Sequence, residues 1–357
     1  MIPAWLWPLP IYLGVLGLNL VVPGRWVDGY VLDPATGKPR RYHLNGLRVF
    51  ALVVAAWAVA CGLGWLDWSA FYDHRWEMLA GACALGLAFT FAIVLGAPST
   101  PGHGALAQLY LGRRANPQAL GGRLDAKMFL YLVGATMLEL NVLSFACKHW
   151  QLYPADPSHG VLLYAALFSF FIVEYLNFEQ VHLYTFDFMA ERVGFKLGWG
   201  CLVFYPFFYP IGLWVAADRP NPHWPLAALA GCALVFFAGW GLARGANLQK
   251  FHFKLDPSRR PFGLDPRPIR AGQLQVLSGG FWGLSRHINY LGEVLMATGL
   301  TLSLCAPLSL AWLYPLYYVA LLVPRQAADD RRCAEKYGPA WVEYCKRVPW
   351  RIVPGVF

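Results

Sequence analysis

Three polar blocks, RGANLQKFHFK (244–254), GGFWGLSRHINYLGE (279–293) and PRQAADDRRCAEKYGPAWVEYCKRVPWRIVP (324–354), interrupt the apolar last third of the chain. Positive charge, carboxylate, amide and aromatic groups are packed together there. Chemistry is expected where the blocks meet, and the apolar runs around them decide the kind of fold that must bring them together.

Of the 357 residues, 57% are hydrophobic and 14% charged, against about 25% charged in ordinary soluble domains. A membrane span needs about 20 apolar residues. Windows of that kind lie near 4–23, 46–66, 78–98, 128–148, 160–178, 196–217, 224–243, 287–305 and 308–324. A further helix is expected if 271–284 dips into the bilayer. The expected architecture is therefore an all-α, polytopic membrane helical bundle of about 9–10 transmembrane helices. No soluble domain is read at either end. Ala4–Pro23 is taken as a retained first span, because no basic leader precedes its apolar run.

The net charge of +9 does not point to nucleic acid. The basic residues sit in short loops, where anionic headgroups and the positive-inside bias account for them. Eight cysteines without a close CxxC pair make neither a zinc framework nor a disulfide scaffold, and no metal site is expected. One loop, 24–47, carries the turn-forming DPATGKP and ends in Lys38, Arg40, Arg41 and His43. In a second, 98–127, Arg113, Arg114, Arg123 and Lys127 outnumber Asp125, which assigns it to the cytoplasmic side.

Ionisable residues in apolar windows need a partner or a role. Glu139 and Glu174 suit hydrogen bonds between helices as well as any function. Glu179 with His182 and Asp187 can line a polar cavity. Tyr205, Phe207, Phe208 and Tyr209 fit either an interfacial aromatic belt or the wall of a pocket for a rigid polycyclic lipid.

In the first polar block, Lys250 and Lys254 are four apart and share a face if their helix runs on. Beside Asn247 and Gln249 they can hold a diphosphate, the competing reading being a juxtamembrane basic collar. In the second, Trp282 offers a flat face for a nicotinamide or adenine ring, while Arg286 and His287 can reach a phosphate. Tyr290 and Glu293 share a helical face. In the third, Arg325 and Asp329 make either a salt bridge or a working pair, with Arg325 on an anionic ligand and Asp329 as proton donor.

Taken together the blocks resemble the sterol reductase family: the delta-14, delta-7 and delta-24(28) sterol reductases and the membrane domain of the lamin B receptor. The pieces that carry the resemblance are YHLNGL (42–47), LGRRANP (111–117), LYTFDF with VGFKLGWG (183–200), ANLQKFHFK (246–254), WGLSRHINYLGE (282–293) and RxxxDxxxCxxKYGxxWxxYCxxVPxRIxPG (325–355). RHINYLG and PRQ are most similar to the delta-14 reductases.

The resemblance implies NADPH-dependent reduction of a carbon–carbon double bond in a sterol or related polycyclic isoprenoid, by protonation of the alkene and hydride transfer. It assigns NADPH to Lys250, Lys254, Trp282, Arg286, His287, Asn289, Tyr290, Arg325 and Asp329, in a pocket in the C-terminal half. Asp329 is the candidate acid, with Glu179 and Tyr184 as the other candidates for the proton role. On this reading 1–357 is one integral membrane domain, with spans and a candidate sterol-pocket wall in 1–243 and the cofactor part in 244–357. The cofactor side is cytoplasmic, in the inner membrane of a bacterium or the endoplasmic reticulum of a eukaryote, and the partners are substrate and membrane lipid. Departures from the family pattern are Pro324 for a histidine, Ala328 for an arginine, GCLVF (Cys201, Phe204) for GDLVW, and no Arg-Pro-Gly in the fourth span. They leave open a catalytically silent sterol-binding protein. The RHxNYxGE block and the aromatic tail are also similar to isoprenylcysteine methyltransferases, which use S-adenosylmethionine.

Overall fold

A computed structural model of the chain describes residues 2–99, 102, 104–307 and 309–357. Helices dominate it, and among the described residues strands occur only as three two-stranded ladders. Six helices are long and apolar enough to cross a membrane, and Gly46–Gly62 is a shorter apolar helix. The protein is all-α and multi-pass. It divides into two compact units between His223 and Trp224.

In the first unit, a 3-10 turn at Ala4–Leu6 leads into α1 (Pro8–Val21). A hairpin follows, β1 (Arg25–Leu32) and β2 (Pro39–Leu44), whose DPATGKP turn closes as its chemistry dictates. The Asp33 carboxylate accepts the Ala35 and Thr36 N–H groups at 2.9 and 3.2 Å, and Gly37 takes φ +67°. Then come α2 (Gly46–Gly62), α3 (Arg75–Leu95), α4 (Ala126–Leu152) and α5 (His159–Asn177). Capping sets two of the starts. Asp125 accepts the Lys127 and Met128 N–H groups, each at 3.0 Å, and Ser158 accepts that of Val161. The centre of the unit is α4, whose span is 78% buried against 22% for the first crossing and 33% for α3.

The last crossing of this unit, α6 (Phe195–Ala216), is broken by a π-turn at Gly200–Phe204 and by Pro206 and Pro210. Backbone freed inside a membrane must find partners within the protein. Side chains of three other helices supply them. Tyr12 donates to the Leu202 carbonyl, Asn141 to Pro206 O at 2.8 Å and Tyr164 to Tyr209 O at 3.2 Å. The aromatic run at 205–209 is therefore built around a distorted, internally hydrogen-bonded segment. Glu139 accepts a 2.7 Å bond from Ser169, tying α4 to α5 as the helix-to-helix reading expects.

The second unit opens with α7 (Leu226–Leu255), which extends far enough to carry both Lys250 and Lys254. It packs closely on α8 (Ile288–Ser303). A Cβ at Gly239 would stand 2.6 Å from Gly292 O, and one at Gly299 would stand 2.7 Å from Phe236 N. Small residues thus let the two backbones touch, the usual route to close helix packing where lipid provides no hydrophobic drive. Next comes α9 (Leu313–Tyr337), which runs through Pro324 and carries Arg325 to Asp330 on continuous helix, followed by α10 (Pro339–Arg347).

The further helix expected at 271–284 is not formed. That stretch belongs to a hairpin, β3 (Ile269–Ala271) with β4 (Leu274–Val276), and to a 3-10 turn at Gly280–Gly283. Gly272 at φ +60° makes the hairpin turn and Gly280 at φ +63° turns the chain again. The apolar side chains Ile269 and Val276 are buried against Trp341, Tyr344 and Val348 of the α10 region, not in lipid.

Candidate active site

All three polar blocks of the sequence fold together within the second unit. The amide of Gln249 on α7 holds the glycine-rich entry from both ends. Its Oε1 accepts the Phe281 N–H at 3.0 Å and its Nε2 donates to Gly279 O at 3.2 Å. A Cβ at Gly280 would fall 2.2 Å from that Nε2, so the glycine is needed for the clamp. One turn back on α7, Ala246 O accepts the Trp282 indole N–H at 2.9 Å, and the Lys250 ammonium lies 5.3 Å from the Trp282 ring centre. From the C-terminal block, the Tyr344 hydroxyl donates to Trp282 O at 2.8 Å.

The segment after Trp282 pairs with the chain end. Arg286 N–H bonds to Trp350 O (3.0 Å), His287 N–H to Arg351 O (2.8 Å) and the Ser285 hydroxyl to Ile352 O (2.8 Å). This explains why a VPWRI tail accompanies an SRH helix entry: each satisfies the other's backbone. It also fixes where the Arg286 and His287 side chains start.

Those side chains meet α9. The Arg286 guanidinium, 9% exposed, stands 3.3 Å from Asp330 Oδ2 and donates to Cys345 Sγ at 2.8 Å. His287, almost fully buried, lies with Nε2 3.1 Å from Asp330 Oδ1 and Nδ1 3.9 Å from Asp329 Oδ2. Its ring stacks on Tyr290 at 5.1 Å and 18°. Gln326 donates to Asp330 Oδ2. Lys254 donates to the Tyr337 hydroxyl at 2.9 Å. Arg325 lies on α9 one turn before Asp329.

Two buried polar atoms at the start of α8 have no protein partner, Arg286 Nε and Asn289 Oδ1. A donor and an acceptor left so close to a helix start suit a ligand that offers both kinds of group. Among the described residues no His, Cys, Asp and Glu cluster fit for a metal ion occurs.

The expected cofactor residues Lys250, Lys254, Trp282, Arg286, His287, Asn289, Tyr290, Arg325 and Asp329 therefore all lie in one unit, on the last turns of α7, the entry and first turn of α8, and α9. Asp330 and Gln326 do not stand out in the sequence, yet they hold the cluster together. The available signal is the spacing: Gln326 and Asp330 are four apart on one helical face, and Asp330 is adjacent to Asp329.

Glu179 and Tyr184 belong to the first unit. Glu179 Oε2 accepts the N–H of Gly46, at the start of α2, at 3.1 Å. Burial pushes its pKa up to about 7, partly offset by that hydrogen bond and by Arg25. A Cβ at Gly46 would fall 2.1 Å from Glu179 Oε1. The NG pair of YHLNGL is thus a seat for this carboxyl, and Asn45 completes it by donating to the Asn19 and Val22 carbonyls, each at 2.9 Å. His182 pairs with Tyr175 O at 3.0 Å and stacks on the Tyr175 ring at 3.8 Å. Tyr184 is buried against Tyr30, ring centres 5.7 Å apart, and burial and then Asp28 raise its pKa.

The ergosterol biosynthesis ERG4/ERG24 family profile matches residues 5–357. The chain is 31% identical to the Delta(14)-sterol reductase of Arabidopsis thaliana, covering 97% of this chain and 94% of the relative. It is 32% identical to the Delta(14)-sterol reductase of Methylotuvimicrobium alcaliphilum (97% and 81%). Identity to the Delta(14)-sterol reductase TM7SF2 of Mus musculus is 35% (97% and 84%). With the match running through the spans and all three polar blocks, the chain belongs to the ergosterol biosynthesis ERG4/ERG24 family and is an oxidoreductase enzyme.

Proposed function

We propose that this protein reduces a carbon–carbon double bond in a sterol, the delta-14 bond, with NADPH as reductant. The observation that carries the reading is the meeting of the SRHINY helix entry with Asp329 and Asp330 in a unit whose relatives are named Delta(14)-sterol reductase. The partners are a sterol or closely related polycyclic isoprenoid and the surrounding lipid. We take 1–357 as one reductase domain, with its cofactor part at 244–357 facing the cytoplasm.

The residues present fit the cofactor. NADPH carries phosphates, ribose hydroxyls and a carboxamide. Lys250, Lys254 and Arg325 supply positive charge, and the orphaned Arg286 Nε and Asn289 Oδ1 are a donor and an acceptor in buried surroundings. When bound, the reduced nicotinamide supplies the hydride. An isolated alkene is a poor hydride acceptor until a proton is added at its other carbon. We assign that proton to Asp329, a reading supported by its carboxyl being about one-fifth exposed and meeting His287 at 3.9 Å. Asp330, by contrast, is engaged at both oxygens. Apolar walls around the alkene would keep water from the cation formed on protonation.

The test is mass spectrometry of products after incubating the purified chain with NADPH and a panel of unsaturated sterols. A gain of two hydrogens on the delta-14 substrate is expected. A methyl gain with S-adenosylmethionine, or no NADPH-dependent product from any sterol, overturns the proposal.

A further inference from the structure

His287 is flanked by adjacent carboxylates of one helix. Its Nε2 is 3.1 Å from Asp330 Oδ1, and its Nδ1 is 3.9 Å from Asp329 Oδ2. The two acids are not equivalent. Asp330 meets Arg286 and Gln326 at one oxygen and His287 at the other, whereas Asp329 meets the imidazole. A carboxylate beside a guanidinium is an acceptor, so the imidazole nitrogen that faces it must carry a proton. That choice leaves Nδ1, in the neutral ring, as the lone-pair nitrogen. Stacking on Tyr290 holds the plane of the ring, and the His287 N–H bond to Arg351 O holds the backbone from which it projects.

We propose that Asp330, steadied by Gln326 and Arg286, is a positioning residue that fixes the His287 tautomer, so that Nδ1 and Asp329 share the one proton that the reduction consumes. The inference rests on the proposed reductase reading and deepens it, with Asp330 acting through His287, its partner at 3.1 Å. In the step, the O–H bond of Asp329 breaks as a C–H bond forms on one alkene carbon. The other carbon would take the hydride that a bound reduced nicotinamide supplies, and the Asp329–His287 pair would regain its proton from water. The adjacency of Asp329 and Asp330 then has a chemical reason. One holds the ring, the other holds the proton, and an Nε2–H locked at one end makes the opposite end an acceptor.

The experiment compares the full chain in detergent, wild type and Asp330→Asn. Asparagine is isosteric but can present oxygen or NH2 to the ring, so it removes the lock without opening a hole. In 15N-histidine-labelled protein, with the resonances assigned by their loss in His287→Gln, the wild-type ring is expected as the Nε2–H tautomer and the Asp330→Asn ring as a mixture. With NADPH and a delta-14 sterol, kcat is expected to fall by up to about 10⁴-fold, the loss seen when a catalytic histidine loses its tautomer-fixing carboxylate. KM for NADPH should stay within about threefold, because no group on the cofactor has been removed. Asp330→Glu, which keeps the charge, should restore part of kcat.

A wild-type ring with its proton on Nδ1, or a tautomer unchanged by Asp330→Asn, overturns the clamp in an active and an inactive protein alike. A loss confined to KM for NADPH overturns it in favour of a cofactor contact. If the tautomer behaves as stated and the wild type reduces no sterol, the reductase reading fails and takes the shared-proton step with it, while the assignment of Asp330 as tautomer lock is upheld.

Discussion

Asp329 and Asp330 differ by one position on α9, and that difference separates an engaged carboxylate from an available one. On a helix, neighbours point about 100° apart. Asp330 therefore turns into the Arg286–His287–Gln326 cluster while Asp329 reaches only the edge of the imidazole. Replacing Asp329 by asparagine keeps volume and hydrogen bonding but removes the acid. Turnover should drop about 10²–10⁴-fold, the usual contribution of a positioned proton donor, with NADPH affinity measured by fluorescence titration little changed. Arg325→Ala should do the opposite. Losing one charge-assisted contact, worth about 1.5–3 kcal/mol, weakens NADPH binding roughly ten- to hundredfold and leaves the acid in place. The same titration separates the two variants.

At the scale of elements, the start of α2 and the Glu179 turn form one device, in which a buried carboxyl closes a helix N-terminus. The Glu179 pKa of about 7 lies above its ordinary value of 4.5, so the folded protein holds a proton there that the unfolded chain has released. Folding stability contributed by this site is accordingly greatest at low pH and is lost as pH rises through the window from 4.5 to 7. Glu179→Gln should flatten that part of the pH dependence of thermal unfolding in detergent, and a slope unchanged by the substitution would count against the assignment. Little of this device is legible in the sequence. Glu179 stands out as an ionisable residue beside an apolar run, but its partner lies 133 positions away, and local periodicity carries no information on such a pairing. By contrast, the extension of α7 past Lys250 and Lys254 and the helical spacing of Arg325 and Asp329 can be read directly, because those relations are local. The hairpin at 269–276 escapes a sequence reading for a related reason. Its apolar residues look like a membrane-dipping segment until Trp341 and Tyr344, distant in sequence, are seen to cover them. Trp341→Ala, which removes most of that cover, should cost about 3–5 kcal/mol and expose the hairpin to limited proteolysis before the spans unfold.

For the molecule as a whole, positive charge concentrates in the segments after α1, α3 and α7, whereas the segment after α5 carries Glu179, Asp187 and Glu191 against Arg192. In the first unit, the segment after α1 carries Arg25, Lys38, Arg40 and Arg41, and the one after α3 carries Arg113, Arg114 and Arg123. The segments after α2, α4 and α6 carry Asp67 and Asp73, Asp156, and Asp218 with Arg219. In the second unit, α7 ends in Lys250 and Lys254, and Arg259, Arg260, Arg267 and Arg270 follow. Lysine and arginine near span ends set orientation because they resist translocation, whereas aspartate does so only weakly. Six helices are long and apolar enough to cross; we propose that α2, α8 and α9 cross as well, which would put the segments after α1, α3 and α7 on one side. On that proposal the polar half of α9, with Arg325, Asp329 and Asp330, ends on the same side, where a cytosolic cofactor could reach it. Single cysteines placed on a background in which the eight native ones are replaced by alanine or serine give the check. In sealed vesicles of known orientation, Ser258→Cys and Thr36→Cys should react with a membrane-impermeant maleimide from the cytoplasmic face, and Asp218→Cys only from the other. Labelling of Ser258→Cys from the far side would put the cofactor residues where reduced nicotinamide is absent, and the proposed reductase could not draw on the cytosolic pool.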